Sequence, residues 1–150
     1  MQPTFYSQAF DDIPAPDFAD VTLIPLPAGA SEDPAVWART IFGVRTMPPW
    51  VLVALGLRQG MVRLLGIPKS PHDVFDVARV AGEEALIVAD DEHLDFRCAV
   101  GVDAELRLVR VTTTVRFHGW RGRAYFAPVR LAHPVVVGSM LRRASRILAG

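Results

Sequence analysis

A chain of 150 residues, 51% of them hydrophobic, is long enough for one ordinary domain with its own core, burying roughly 70% of the surface that its unfolded form exposes. Its 16 basic and 16 acidic residues cancel, which speaks against nucleic acid as a partner, because phosphate binding needs an uncompensated basic face. The single cysteine, Cys98, excludes an internal disulfide, so a reducing compartment is expected and Cys98 is read as a core residue rather than a nucleophile.

The N-terminal stretch carries Asp11, Asp12 and Asp17 and no basic residue ahead of an apolar run, unlike a signal peptide. No apolar run reaches the ~18 residues of a spanning helix, so the expected location is cytoplasmic, with no membrane span. Residues 1–17, with Pro14 and Pro16 and no sustained period, read as an extended or mobile arm, and 18–150 as a single domain. Residues 20–26 alternate Val21 and Leu23 against Thr22 and Ile24, the pattern of a first strand ended by Pro25 and Pro27. Ser31 offers an N-cap oxygen and Pro34 suits a first turn, which predicts a short helix through Trp37, Ala38 and Ile41, stopped by Gly43.

Pro48 and Pro49 open a second helix over residues 50–65, apolar on nearly every side except Arg58, Gln59 and Arg63. Such a helix is buried, walls a cavity or meets a partner, a second copy in a homodimer included. Gly56 and Gly60, each costing about 1 kcal/mol relative to alanine, point to close packing or looseness there. Residues 66–72 connect it to four valine-rich runs at 73–80, 84–89, 93–102 and 105–117. Their short turns predict an antiparallel meander. The last run sets Val109, Val111, Thr113, Val115 and Phe117 against Arg110, Thr112, Thr114, Arg116 and His118, a sheet with two different faces. Leu106 and Leu108 fall out of phase with it, which predicts a bulge or bend near Leu108 and Val109 that would curve the sheet and leave a cavity.

Residues 122–149 read as the longest helix, with Phe126, Val129, Val136, Met140, Ala144 and Ile147 on one stripe. Pro134 removes a hydrogen bond to Arg130 and biases His133 away from helical dihedrals, which predicts a kink or a split. Charge is uneven along the chain. Beyond Glu105 there are nine arginines and no carboxylate. Either the two halves pair within the fold, or an anionic ligand or surface meets the last helix. Arg142, Arg143 and Arg146 also suit the helix dipole, which favours cations in the last turns.

The densest polar cluster runs from Asp90 to Arg97. With a strand beginning at His93, the side chains of His93, Asp95 and Arg97 share one face, and those of Leu94, Phe96, Cys98 and Val100 the other. This is either a turn with a solvated, ion-paired face, or a bulge turns Asp91, His93 or Arg97 inward to hold a polar ligand group or a proton. Arg116 and His118, with Thr112 and Thr114, form a second polar face. Tyr125 and His133 lie eight apart on the last helix, and His133 is read as bound to backbone that the proline frees. The four histidines are scattered singly, so no metal site is expected. No nucleophile elbow, P-loop, dinucleotide fingerprint or paired-cysteine motif occurs, and no cofactor is expected.

The segment DDEHLDFR, with VTTTVRFHGWRGRAYFAPVRLAHPVVVGSMLRRA and the PPWV-x3-LGLR-x3-VRLLG helix, resembles a bacterial family common in actinobacteria. That family is known as a domain of unknown function and is grouped with the START and polyketide-cyclase-like (SRPBCC) helix-grip superfamily. The resemblance covers roughly residues 18–144. It implies an α+β helix-grip fold: a curved antiparallel sheet packed on a long C-terminal helix, with two shorter helices after the first strand and an apolar cavity between. Relatives occur joined to nucleotide-sugar-epimerase-like, NAD(P)-binding domains, which have no counterpart in these 150 residues. Asp91, His93, Asp95, Arg97, Thr113, Arg116, His118 and Tyr125 match the family pattern, which assigns them no role. Pro134 directly after His133 departs from it.

Three functions follow from this sequence. The first is a binding module for a small apolar or amphipathic molecule held between sheet and last helix, touched by Trp50, Leu55, Phe96, Val111, Phe126, Val129 and Met140, with Arg97 or Arg116 at a polar end. Arg58, Asp91, His93, Asp95, Thr113, His118 and Tyr125 complete the candidate ligand site, and no catalytic residue is assigned. The second is a cyclase- or dehydratase-like enzyme in which His93 or His118 moves a proton and an arginine stabilises an enolate. The third is a non-catalytic interaction domain that uses residues 50–65.

Overall fold

A sheet with one apolar face must bury it, and here a short helix after the first strand and the C-terminal helix cover that face while the N-terminal helix lies on part of the other. Residues 6–43, 45–46, 49, 76–90 and 92–150, apart from the side chain of Tyr125, are described by a computed structural model. They form an α+β fold with five strands: β1 (Phe18–Pro25), β2 (Val77–Ala81), β3 (Glu84–Asp90), β4 (Leu94–Asp103) and β5 (Leu108–Phe117). The sheet is antiparallel throughout, in the order β1-β5-β4-β3-β2. Its helices are α1 (Gln8–Asp12), α2 (Pro34–Ile41) and the C-terminal α3 (Gly119–Leu148).

The inner face is the apolar one. Ala85, Ile87, Cys98, Val100, Val102, Val109 and Val111 pack there against Trp37, Ala38 and Ile41 of α2 and against Met140, Leu141 and Ala144 of α3. Trp37 is fully buried, and its indole Nε1 donates to the Ser31 carbonyl at 2.7 Å, so this large side chain brings no unpaired donor into the core. The first half of α3 has its own cluster, in which Phe126 meets Leu94 and Val115 and tilts against Phe18 and Phe117 at 5.0 and 5.4 Å between ring centroids. Gly122 makes that descent feasible, because a Cβ there would lie 2.2 Å from the His93 carbonyl oxygen.

The outer face is closed in part by the N-terminus. Ser7 caps α1, accepting from the Ala9 amide at 3.3 Å. Glu84, 3% exposed, accepts from the Gln8 amide (2.8 Å) and Ser7 Oγ (3.2 Å) with one oxygen and from the Arg110 guanidinium (3.2 Å) with the other. Arg110 reaches it by lying across Gly101, where a Cβ would stand 3.0 Å from its Nε. Ala9 packs on Leu86 and Ala99, its carbonyl accepts from Thr114 Oγ1 at 2.9 Å, and Arg97 holds Asp12 at 2.8 Å. Residues 8–12, expected as part of an extended arm, are therefore a helix, formed because the sheet supplies partners that so short a segment lacks alone.

Other elements differ from expectation for local reasons. The α2 N-cap is Asp33, which accepts from the Ala35 amide at 2.8 Å, while Ser31 accepts from the Asp33 amide; Pro34 at the first helical position puts the cap one residue before it. The break in phase ahead of β5 is a turn and not a bulge. Asp103 Oδ1 accepts the Leu106 amide at 2.8 Å, and Arg107 takes a left-handed conformation (φ 55°). The β4–β5 register then runs unbroken from Asp103↔Leu108 to Leu94↔Phe117, and a register shift falls instead in β2, between Val77 and Arg79. The last helix begins at Gly119 and continues as one 30-residue element through Pro128 and Pro134, so it is not split. The helix expected over residues 50–65 and the connection after it lie outside the described residues.

Two stability measurements probe these covers. Met140, 6% exposed between α3 and the sheet, should cost about 2–5 kcal/mol when changed to alanine, read from denaturant midpoints. Glu84→Ala should cost roughly 1–3 kcal/mol, since it strands the donors of Arg110, Ser7 and Gln8, and should speed amide exchange over residues 7–13; unchanged exchange would mean that α1 holds without it.

Candidate functional site

β4 starts and β5 ends at the same end of the sheet, where Leu94 faces Phe117. The chain turns there into α3 with His118 as N-cap, its amide donating to the His93 carbonyl at 2.8 Å. One pair further in, Asp95 stands opposite Arg116 on the outer face, and His118, two residues after Arg116, points the same way. Asp95 Oδ2 accepts from Arg116 Nη2 at 2.7 Å, and Oδ1 meets His118 Nε2 at 2.9 Å.

This arrangement is asymmetric. The Asp95 side chain is 14% exposed, against 53% for Arg116 and 42% for His118. Its hydrogen bond from His118, followed by that from Arg116, holds the carboxyl below its ordinary value although burial pushes the other way. An ionised carboxylate only accepts, so the His118 proton belongs on Nε2 and Nδ1 is turned away from Asp95. Beside this group lies an open depression of about 320 Å³ lined by Glu92, His93, His118, Gly119, Trp120 and Arg121. Trp120 is 73% exposed, with the Arg121 guanidinium 5.7 Å from its ring centre.

The structure thus gathers Asp95, Arg116, His118 and His93, and leaves other expected site residues elsewhere. Asp95 and Arg97 do share the outer face, but His93 precedes the strand, which starts at Leu94. Arg97 is bound to Asp12 and Asp90 and anchors α1. Thr113 is buried on the inner face opposite Cys98. Trp50, Arg58, Asp91 and the Tyr125 side chain lie outside the described residues. His133 Nδ1 meets Asp20 Oδ2 at 3.0 Å and its ring stands edge-on to Phe18, so its partner is a β1 carboxylate and not freed backbone. Sequence reasoning missed Trp120 and Arg121, although the run HGWRG sets them directly after His118.

Val111, Phe126 and Met140, expected around a cavity, are buried within the two inner clusters. A second depression, about 400 Å³, lies on the outer face and is lined by Val21, Leu23, Asp103, Leu106, Leu108 and Arg110. Burial pushes the Cys98 thiol up to about 12, which suits a core residue and not a nucleophile. Among the described residues, no group of three or more His, Cys, Asp or Glu could hold a metal ion, and no helix is long and apolar enough to cross a membrane.

A five-stranded antiparallel sheet on a long C-terminal helix, with a histidine–aspartate–arginine group where strand becomes helix, defines a small α+β domain. The chain belongs to the family described as protein of unknown function (DUF2867), whose model matches residues 13–140. Comparison with curated proteins and with solved structures gave no match.

The Asp95 group has a pH signature. A carboxyl held below its ordinary value of 3.8 contributes stability that is complete above that value and is lost as pH falls through the lower folded-state value. The stability difference between the protein and Asp95→Asn should therefore be full at pH 7 and shrink below about pH 3.8, as followed by denaturation at a series of pH values; a difference independent of pH would mean that the charge of Asp95 is not what holds His118 and Arg116.

Proposed function

We propose that this chain is a small-molecule-binding domain whose ligand is amphipathic, with an apolar or aromatic body and an anionic group, and that it binds where β4 begins and α3 starts. The observation that carries this reading is the partly buried Asp95 holding His118 and Arg116 beside the depression that Trp120 and Arg121 line. Side chains fixed before a ligand arrives lose less entropy when it binds. The exposed indole offers a flat apolar surface, and Arg121 with the first-turn amides of α3, which His118 does not cap through its side chain, favour a negative group. Glu92 on the rim can accept from a ligand hydroxyl or amine. The resemblance to the START and polyketide-cyclase-like superfamily and to actinobacterial proteins supports a small-molecule role, and a cytoplasmic location belongs to the same proposal.

A second reading rests on the Asp95–His118 contact at 2.9 Å. A carboxylate on one ring nitrogen orients an imidazole so that the other can take a proton, which would make the domain cyclase- or dehydratase-like. Thermal unfolding against fatty acids, aromatic polyketide acids and sterols tests both. An anionic amphiphile at 100 times its dissociation constant should stabilise the protein by about 2.7 kcal/mol, and Trp120→Ala or His118→Ala should remove the shift. No shift with any acid, or a shift that both variants retain, would rule out this site. Conversion of the bound molecule by the unaltered protein but not by His118→Ala would favour the enzyme.

A further inference from the structure

The outward side of α3 is unlike the surface of an ordinary helix. Opposite the buried Phe126, Met140 and Ala144, a row at steps of three and four runs through Trp120, Ala124, Ala127, Leu131 and Val135, all exposed. Leu131 is 82% exposed and Val135 69%. Arg142 and Arg146 continue the row toward the C-terminus, and Arg121 flanks its start. Along roughly 40 Å of helix there is no carboxylate at all.

Pairing within the fold accounts for only part of this charge. In the arginine-rich second half, Arg107 pairs with Glu32, Arg110 with Glu84, Arg116 with Asp95 and Arg123 with Asp17. Among the described residues no carboxylate comes within ion-pair distance of Arg121, Arg142 or Arg146. The occupant of this face must therefore be both acidic and tolerant of apolar side chains. A second copy is not, because a two-fold contact would set arginines against arginines with no acid between them. Nucleic acid supplies charge but no place for Leu131 and Val135. An acidic protein would need a groove shaped to a convex ridge. An anionic lipid surface needs no such shape and presents charge all along its plane.

We propose that α3 docks flat on an anionic lipid surface, with Leu131 and Val135 at the boundary between headgroups and acyl chains and with Arg121, Arg142 and Arg146 on lipid phosphates. Trp120 and Arg121 border both this face and the ligand depression, whereas Leu131, Val135, Arg142 and Arg146 do not line that depression. The test is co-sedimentation of the full chain with vesicles of phosphatidylcholine alone and with 30% phosphatidylserine or phosphatidylglycerol, at low and physiological salt. Binding is expected only to the anionic vesicles and should weaken with salt. Each arginine near the surface is worth about five-fold in partitioning, so R142A/R146A should lose roughly 30-fold, and L131S/V135S should also bind less while keeping the melting temperature. Absence of binding to anionic vesicles at low salt, or unchanged binding by R142A/R146A, overturns the proposal. Retention on heparin without vesicle binding overturns it in favour of an acidic macromolecule. A large fall in melting temperature for L131S/V135S overturns it too, since the row would then be covered by the chain itself.

Discussion

The ten-residue pairing of β4 with β5 is the constraint on which the rest depends. Because side chains alternate between faces, a slip of one residue would turn Val109, Val111 and Val115 away from α2 and α3 and set Arg110, Thr112 and Thr114 in their place. The same register puts Asp95 directly across from Arg116 and brings His118 to its other oxygen. Core and candidate site are thus two results of one ladder. Apolar burial on the inner face fixes the register, and the polar group on the outer face inherits its geometry from it.

Each face is closed by a different kind of interaction. The inner face is closed by area: Trp37, Ile41, Met140 and Leu141 are almost entirely removed from water, each worth on the order of 1.5–3 kcal/mol. The outer face is closed by polar contacts that converge on Glu84, whose buried carboxylate is tolerable because the Gln8 amide, Ser7 and Arg110 all donate to it. A buried ion is a costly way to attach a helix of five residues. It is also a specific one, since a sliding α1 would strip one Glu84 oxygen of both its donors and leave the Gln8 amide unpaired.

Much of the fold was legible in the sequence because periodicity carries it. The valine alternation of β5, the short turns and the stripe of the last helix from Phe126 to Ala144 read correctly, while Ile147, expected on that stripe, is exposed. What was not legible depends on partners far away along the chain. Nothing near Gln8 announces that Glu84 lies 76 residues on, or that Thr114 will meet the Ala9 carbonyl. Asp20 and His133, 113 residues apart, could be joined only by the structure. The phase break before β5 was visible at Leu106, but one residue in a left-handed conformation resolves it as a turn, and sequence offered no sign that Arg107 adopts it. In the candidate site, Asp95, Arg116 and His118 were legible from strand phase. The ion-paired face that sequence offered for Arg97 is present in its contact with Asp90, but its second partner, Asp12, belongs to a helix that sequence did not show.

Cys98 sits at the middle of the inner face, fully enclosed, as the single thiol of the chain. A thiol-reactive reagent works through the thiolate, so Cys98 can be modified only when sheet and helices part. The chain therefore carries an internal clock of its own opening. The rate at which this sulfur is captured counts how often α2 and α3 lift from the strands, with no residue substituted.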